Sequence, residues 1–141
     1  MTIQAVAKRL AKKYGTANPQ TILEAMYIKI FEFPMTGIRG IYKRIKRNTV
    51  VFVDSGLSEE DRTFVLAHEL GHHMLHRGDN RVFLDSCTLF RAGRYENEAD
   101  LFAVCLLAEG IDDIPDDGMT VDVFAARLGI SRHLAEAYFR Q

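Results

Sequence analysis

The run Ser58-Glu59-Glu60-Asp61-Arg62-Thr63-Phe64-Val65-Leu66-Ala67-His68-Glu69-Leu70-Gly71-His72-His73-Met74-Leu75-His76-Arg77-Gly78 decides how the rest of the chain is read. Ser58 with Asp61 resembles a capping box, and Glu59, Glu60 and Asp61 sit where the positive end of a helix dipole favours acids. The pattern predicts a helix over 59–77, stopped by Gly78. Phe64, Val65, Leu66, Leu70, Met74 and Leu75 make that helix too apolar to lie in solvent. Its polar stripe of His68, Glu69 and His72 is therefore expected inside, where imidazoles and a carboxylate need partners.

The stripe has the form HExxH. Residues four apart on a helix share a face, separated by about 40° of rotation. Both imidazoles can then reach one ion at roughly 2 Å. Glu69 lies on the adjoining strip, placed to take a proton from water on that ion and return it to a leaving amine. A zinc ion lowers the pKa of its water to about 7, so the spacing suits metal-assisted hydrolysis. The motif alone is weak. Its weight comes from its mid-helix position and from a carboxylate-bearing helix a short distance down the chain.

That second strong helix is expected over 94–109, stopped by Gly110, and it opens Arg94-Tyr95-Glu96-Asn97-Glu98-Ala99-Asp100. Catalytic zinc usually takes three protein ligands and keeps one position open. Glu96 and Asp100 share a face, which makes Glu96 the expected third ligand and Asp100 the acceptor for an N–H of His68 or His72. Glu98 lies about 160° round the helix from Asp100 and is the alternative ligand. His73 is expected to be exposed, and His76 to pack beside the ligands or support them from behind. A non-catalytic metal sensor is the rival reading of this group, and it leaves Glu69 without a purpose.

Working outward, helical spacing runs over 3–14, and Asn18 with Pro19 starts a second short helix. A β-rich run over 27–33 precedes strands over 37–45 and 49–53, with a turn near 46–48. Arg39, Lys43, Arg44, Lys46 and Arg47 make this a basic hairpin. It reads either as the solvated face and tip of an edge hairpin or as a contact for an acidic substrate or partner, with nucleic acid as a lesser alternative. Residues 79–92 read as a loop with one short extended stretch. The acidic link Asp112, Asp113, Asp116 and Asp117 then leads to short helices over 121–128 and 132–140. That pair has the look of a helix-turn-helix, the mark of a small DNA-binding regulator. The aspartates would repel phosphate, and Arg132, His133 and Arg140 offer a thin basic face. Support of the core is the expected role, without direct binding to nucleic acid.

The layout is α+β, read as one domain over 1–141: helices and a small sheet over 1–57, site helices over 58–110 and a helical pair over 111–141. Its 18 basic and 19 acidic side chains give a net charge of −1, with no global pull towards nucleic acid or anionic membrane. No apolar run approaches the roughly 20 residues of a membrane span. Residues 1–14 lack a secretory pattern, and Cys87 and Cys105 are too few for a disulfide scaffold, so a cytoplasmic protein is expected.

Ala67-His68-Glu69-Leu70-Gly71-His72 with Leu75-His76, followed by Glu96-x-x-Ala99-Asp100-x-Phe102-Ala103 and Leu106-Leu107, resembles the ImmA/IrrE family of metallopeptidases. The resemblance runs from Gly37 to the end of the second long helix. It implies a minimal zincin-like fold and one zinc per chain, held by His68, His72 and Glu96. It also implies a protein substrate, a helix-turn-helix transcriptional repressor. Ala108-Glu109-Gly110 stands where many relatives have Met-Pro after the leucine pair, a departure beyond the metal-site residues.

Overall fold

The computed structural model describes residues 1–76, 80–84, 93–112 and 118–141, with only the backbone at 81–84. Its order is α1 (Ile3–Tyr14), α2 (Pro19–Ala25), β1 (Lys29–Phe33), β2 (Ile38–Ile45), β3 (Asn48–Asp54), α3 (Glu59–Leu75), β4 (Arg81–Leu84), α4 (Arg94–Ala108), α5 (Val121–Leu128) and α6 (Arg132–Arg140). The fold is α+β, as expected of a small zincin-like domain. Gly78, Cys87 and the aspartates at 113, 116 and 117 lie outside the described residues.

The helix boundaries follow their caps. Thr2, Asn18, Ser58, Thr120 and Ser131 each place a side-chain oxygen on a backbone N–H of the helix they open. At the other end, Gly15 and Gly129 take the left-handed conformation that lets α1 and α5 stop. The expected strand over 27–33 starts two residues late. Tyr27 has φ 62 and ends α2 in a turn, where Ile28 N–H bonds the Leu23 carbonyl. A residue in that conformation cannot continue a ladder, and β1 begins at Lys29.

The sheet order is β1-β3-β2-β4, with β1 parallel to β3 and the other pairs antiparallel. This corrects the reading of the basic hairpin as an edge. Both its strands are interior, and β1 and β4 form the margins. The short extended stretch expected within 79–92 is β4, and it covers β2. The tip from Lys43 to Thr49 runs past the paired stretches of β1 and β4, with residues 43–48 exposed as the solvated-tip reading expects, and it turns at Lys46 and Arg47, with Lys46 at φ 56.

On one side of the sheet Tyr42, Val51 and Val53 are buried towards α3, which packs in turn on α4. One apolar cluster joins these layers to Leu10 of α1, Ile22 and Leu23 of α2, Phe124 of α5 and Ala135 of α6. Two glycines set the spacing. A Cβ on Gly71 would lie 3.2 Å from Ala99 Cα and 3.1 Å from Phe102 Cδ1, so α3 and α4 meet almost backbone to backbone. A Cβ on Gly40 would lie 2.7 Å from Val65 Cγ1, so β2 runs tight over α3.

Candidate metal centre

The middle turns of α3 are fully buried, and from them His68, Glu69 and His72 project at 0% exposure. The two imidazoles meet edge to face with Nε2 atoms 3.1 Å apart. From the first turn of α4, Glu96 reaches both: Oε2 is 2.7 Å from His72 Nε2, and Oε1 is 3.5 Å from His68 Nε2. Tetrahedral ligands at zinc distances of 2.0–2.1 Å lie about 3.3 Å from one another. The three observed separations fall on either side of that edge length.

The polar atoms themselves test whether a metal fits. Among the described residues, neither carboxylate oxygen of Glu69 or of Glu96 has a hydrogen-bond partner, although all four are buried. The short approach of Glu96 to His72 is therefore not an aligned hydrogen bond. It is a convergence of two Lewis bases on a shared point, which a cation would satisfy. Two imidazole nitrogens and a carboxylate oxygen are a donor set that suits zinc. Glu69 is the other nearby carboxylate, and one ligand atom each from His68, Glu69 and His72 falls within 4.8 Å of the others. Its Oε1 stands 3.8 Å from His68 Nε2, set back compared with Glu96. A Cβ on Gly40 would approach Glu69 Oε2 to 3.4 Å, so the missing side chain keeps space beside that carboxylate.

The charges respond to this crowding. Burial opposes a proton on His68, but the Asp100 carboxylate on its Nδ1 and the nearby Glu96 and Glu69 outweigh it and raise the pKa to about 9. Burial pushes Glu69 up to about 8, against the pull of His68. Burial would also raise Glu96, yet the two histidines bring it down to about 2. His72 is lowered, chiefly by burial. Without a metal, a proton on His68 holds the site's acids and bases together.

Two supports stand behind the imidazoles. Asp100 Oδ1 lies 2.8 Å from His68 Nδ1, within reach of the N–H expected to face it. His72 Nδ1 meets His76 Nδ1 at 3.0 Å instead, and His76 Nε2 meets Glu98 Oε1 at 2.9 Å. Glu98 thus turns away from the Glu96–Asp100 face, towards His76. His73, expected exposed, is half-buried because the hydroxyl of Tyr42 reaches its Nδ1 at 2.8 Å. Tyr42, Gly40 and Gly71 were missed by sequence reasoning. A glycine inside a helix costs about 1 kcal/mol, and its presence within the motif was the available signal for Gly71.

Residues 23–138 match the family model described as Peptidase_M78, the IrrE N-terminal-like domain. The chain belongs to this family. It is 40% identical over 138 residues to the protein named "Uncharacterized immunity region protein 2" of Bacillus phage phi105, covering 94% of this chain and 86% of that protein. It is also 26% identical over 137 residues to "Metallopeptidase ImmA" of Bacillus subtilis (strain 168), covering 97% and 77% respectively. Membership of this M78 peptidase family implies a metal ion, and the donor set above can hold one.

Proposed function

We propose that this M78 chain is a zinc-dependent endopeptidase in which His68, His72 and Glu96 hold one zinc, Asp100 orients His68, and Glu69 is the general base. The observation that carries the reading is the convergence of His68 Nε2, His72 Nε2 and Glu96 within 2.7–3.5 Å, beside the buried Glu69 carboxylate, which has no hydrogen-bond partner among the described residues. When bound, zinc acidifies water and polarises a peptide carbonyl. Glu69 takes the proton from water and passes it to the departing amine. Burial raises the basicity of the Glu69 carboxylate, which suits the uptake of that proton.

The substrate is an extended segment of another protein, paired with β4, which ends the sheet among the described residues. We assign it to a helix-turn-helix repressor, since relatives of this chain carry the names of a phage immunity-region protein and of ImmA. The α5–α6 pair favours support of the core over DNA binding. Phe124, Ala125 and Ala135 bury its inner side, and Arg132 pairs with Asp122 and Glu136, which removes a cation from its thin basic face.

Metal analysis of protein purified without chelator should give close to one zinc per chain. Incubation of the zinc-loaded protein with the repressor encoded beside its gene, followed by mass spectrometry, should give one cut. Absence of zinc uptake removes the reading altogether. Rapid degradation of unrelated proteins such as casein replaces the specific substrate with a general protease.

A further inference from the structure

We propose that His76 and Glu98 are positioning residues that act through His72, fixing its proton on Nδ1 so that the Nε2 lone pair faces Glu96 and His68. This rests on the zinc reading of the site for its purpose, though not for its geometry. The two ligand imidazoles are supported differently. His68 has a carboxylate directly on Nδ1, whereas His72 has a second imidazole, with the carboxylate one step further away.

With Glu98 ionised and His76 neutral, the chain of hydrogen bonds runs in one direction. Glu98 Oε1, 2.9 Å from His76 Nε2, accepts and cannot donate while ionised, so that nitrogen of His76 carries a proton. A neutral imidazole has one N–H, which leaves His76 Nδ1 as an acceptor. His72 Nδ1, 3.0 Å away, must then be the donor, and His72 Nε2 is left with its lone pair. That is the atom 2.7 Å from Glu96 Oε2. A metal ligand needs this tautomer, and the N–H partner of a ligating imidazole is what ordinarily fixes it.

The surroundings hold the relay in place. His76 is 7% exposed and caps the C-terminus of α3, its own N–H bonded to the His72 carbonyl. Tyr95 of α4 stacks on its ring, centroids 4.2 Å apart and planes at 24°. Tyr95 and Glu96 lie in the first turn of α4 and Glu98 opens the next, so the stretch from Tyr95 to Glu98 supplies the candidate ligand, the relay's terminus and the clamp on its middle member. Packing alone would account for a ring at position 76. It does not account for both ring nitrogens being engaged at hydrogen-bond distance.

His76→Phe tests this, because it keeps a ring for Tyr95 and removes both nitrogens. Long-range proton–nitrogen spectra of the unmodified, metal-free protein should place the protons on His72 Nδ1 and His76 Nε2. In His76→Phe, His72 should shift towards the Nε2–H form. Zinc affinity, read by competition with a chromophoric chelator, should fall about 10–100-fold while the metal-free melting temperature stays close to the parent's. Glu98→Gln, which keeps the shape and removes the charge, should show a smaller loss in the same direction and serves if His76→Phe does not fold. Unchanged zinc affinity in both variants, or His72 protonated on Nε2 in the parent, overturns the relay. If the parent binds no zinc but carries the His72 proton on Nδ1, the peptidase reading falls and the relay stands.

Discussion

Helices α3 and α4 face each other across the candidate site and hold their polar side chains in opposite ways. On α3, His68, Glu69 and His72 are at 0% exposure, set among Val65, Leu66 and Leu70. On α4, Glu96, Asp100 and Glu98 keep 23%, 21% and 29% of their side-chain surface, in the first two turns of a helix whose N-cap, Gly93, offers no side-chain bond. One wall is fixed by the core, and the other touches water. Groups on the fixed wall depend on α4, on one another or on a ligand for partners, because burial removes the solvent that would otherwise serve. Side chains on the open wall keep part of their surface in water, although the two Glu96 oxygens are themselves buried. The difference predicts that changes on α3 abolish binding or chemistry outright, while changes on α4 grade it.

The largest effects should therefore come from α3. His68→Ala and His72→Ala are expected to remove zinc altogether. Glu69→Gln should retain zinc and lower peptide cleavage by about 10²–10⁴-fold, the usual contribution of a general base. Full activity in Glu69→Gln would end its assigned role with the metal site untouched. On α4, Glu96→Ala should weaken zinc affinity far more than Glu98→Ala, since only Glu96 comes within 2.7 Å of a ligand nitrogen. An equal loss in the two would remove Glu96 from the third position, and Asp100→Asn should cost about 10–100-fold.

The comparison also explains what the sequence could and could not reveal. α3 was legible because its apolar run, capping residues and HExxH spacing all point the same way, and the face shared by Glu96 and Asp100 comes from helix period alone. The pairing order of strands does not follow from any local pattern. Residues 81–84 insert beside β2 from across a long connection, which is why the basic hairpin read as a margin. The relay through His76 was half visible, as one more turn of the ligand face. Its partner Glu98 could be placed only once the separation and rotation of the two helices were known.

The closeness of the walls can be tested by itself. Gly71→Ala puts a methyl 3.1–3.2 Å from Ala99 and Phe102, tighter than most such contacts, so α4 must give by a few tenths of an ångström to admit it. Overpacking of this kind costs about 1–3 kcal/mol, and relief by moving α4 outward would draw Glu96 and Asp100 from the histidines. Both a lower melting temperature and weaker zinc binding are expected. A variant that melts lower yet binds zinc as the parent does would show that the two helices yield elsewhere than at the site.

The smallest effect, and the one that joins the walls electrostatically, is in the pH dependence of stability. His68 is raised from 6.5 to about 9, so the folded, metal-free protein holds that proton more tightly than the unfolded chain does. Its contribution to stability is fully present below pH 6.5 and is lost as the pH rises through about 9. Glu69 has the same sign: raised from 4.5 to about 8, its protonated form stabilises the fold at low pH, and that contribution is lost as the pH rises through about 8. Metal-free protein should therefore melt lower as the pH climbs from about 6 to about 9. Zinc requires His68 without that proton, so binding releases protons and is favoured by the same rise in pH. The gap in melting temperature between zinc-loaded and metal-free protein should widen across this range. Thermal melts in matched buffers, with and without zinc, measure it. His68→Gln, which lacks the titrating group, should flatten much of the metal-free slope. A gap that narrows with pH would mean that no proton occupies the place assigned to the metal.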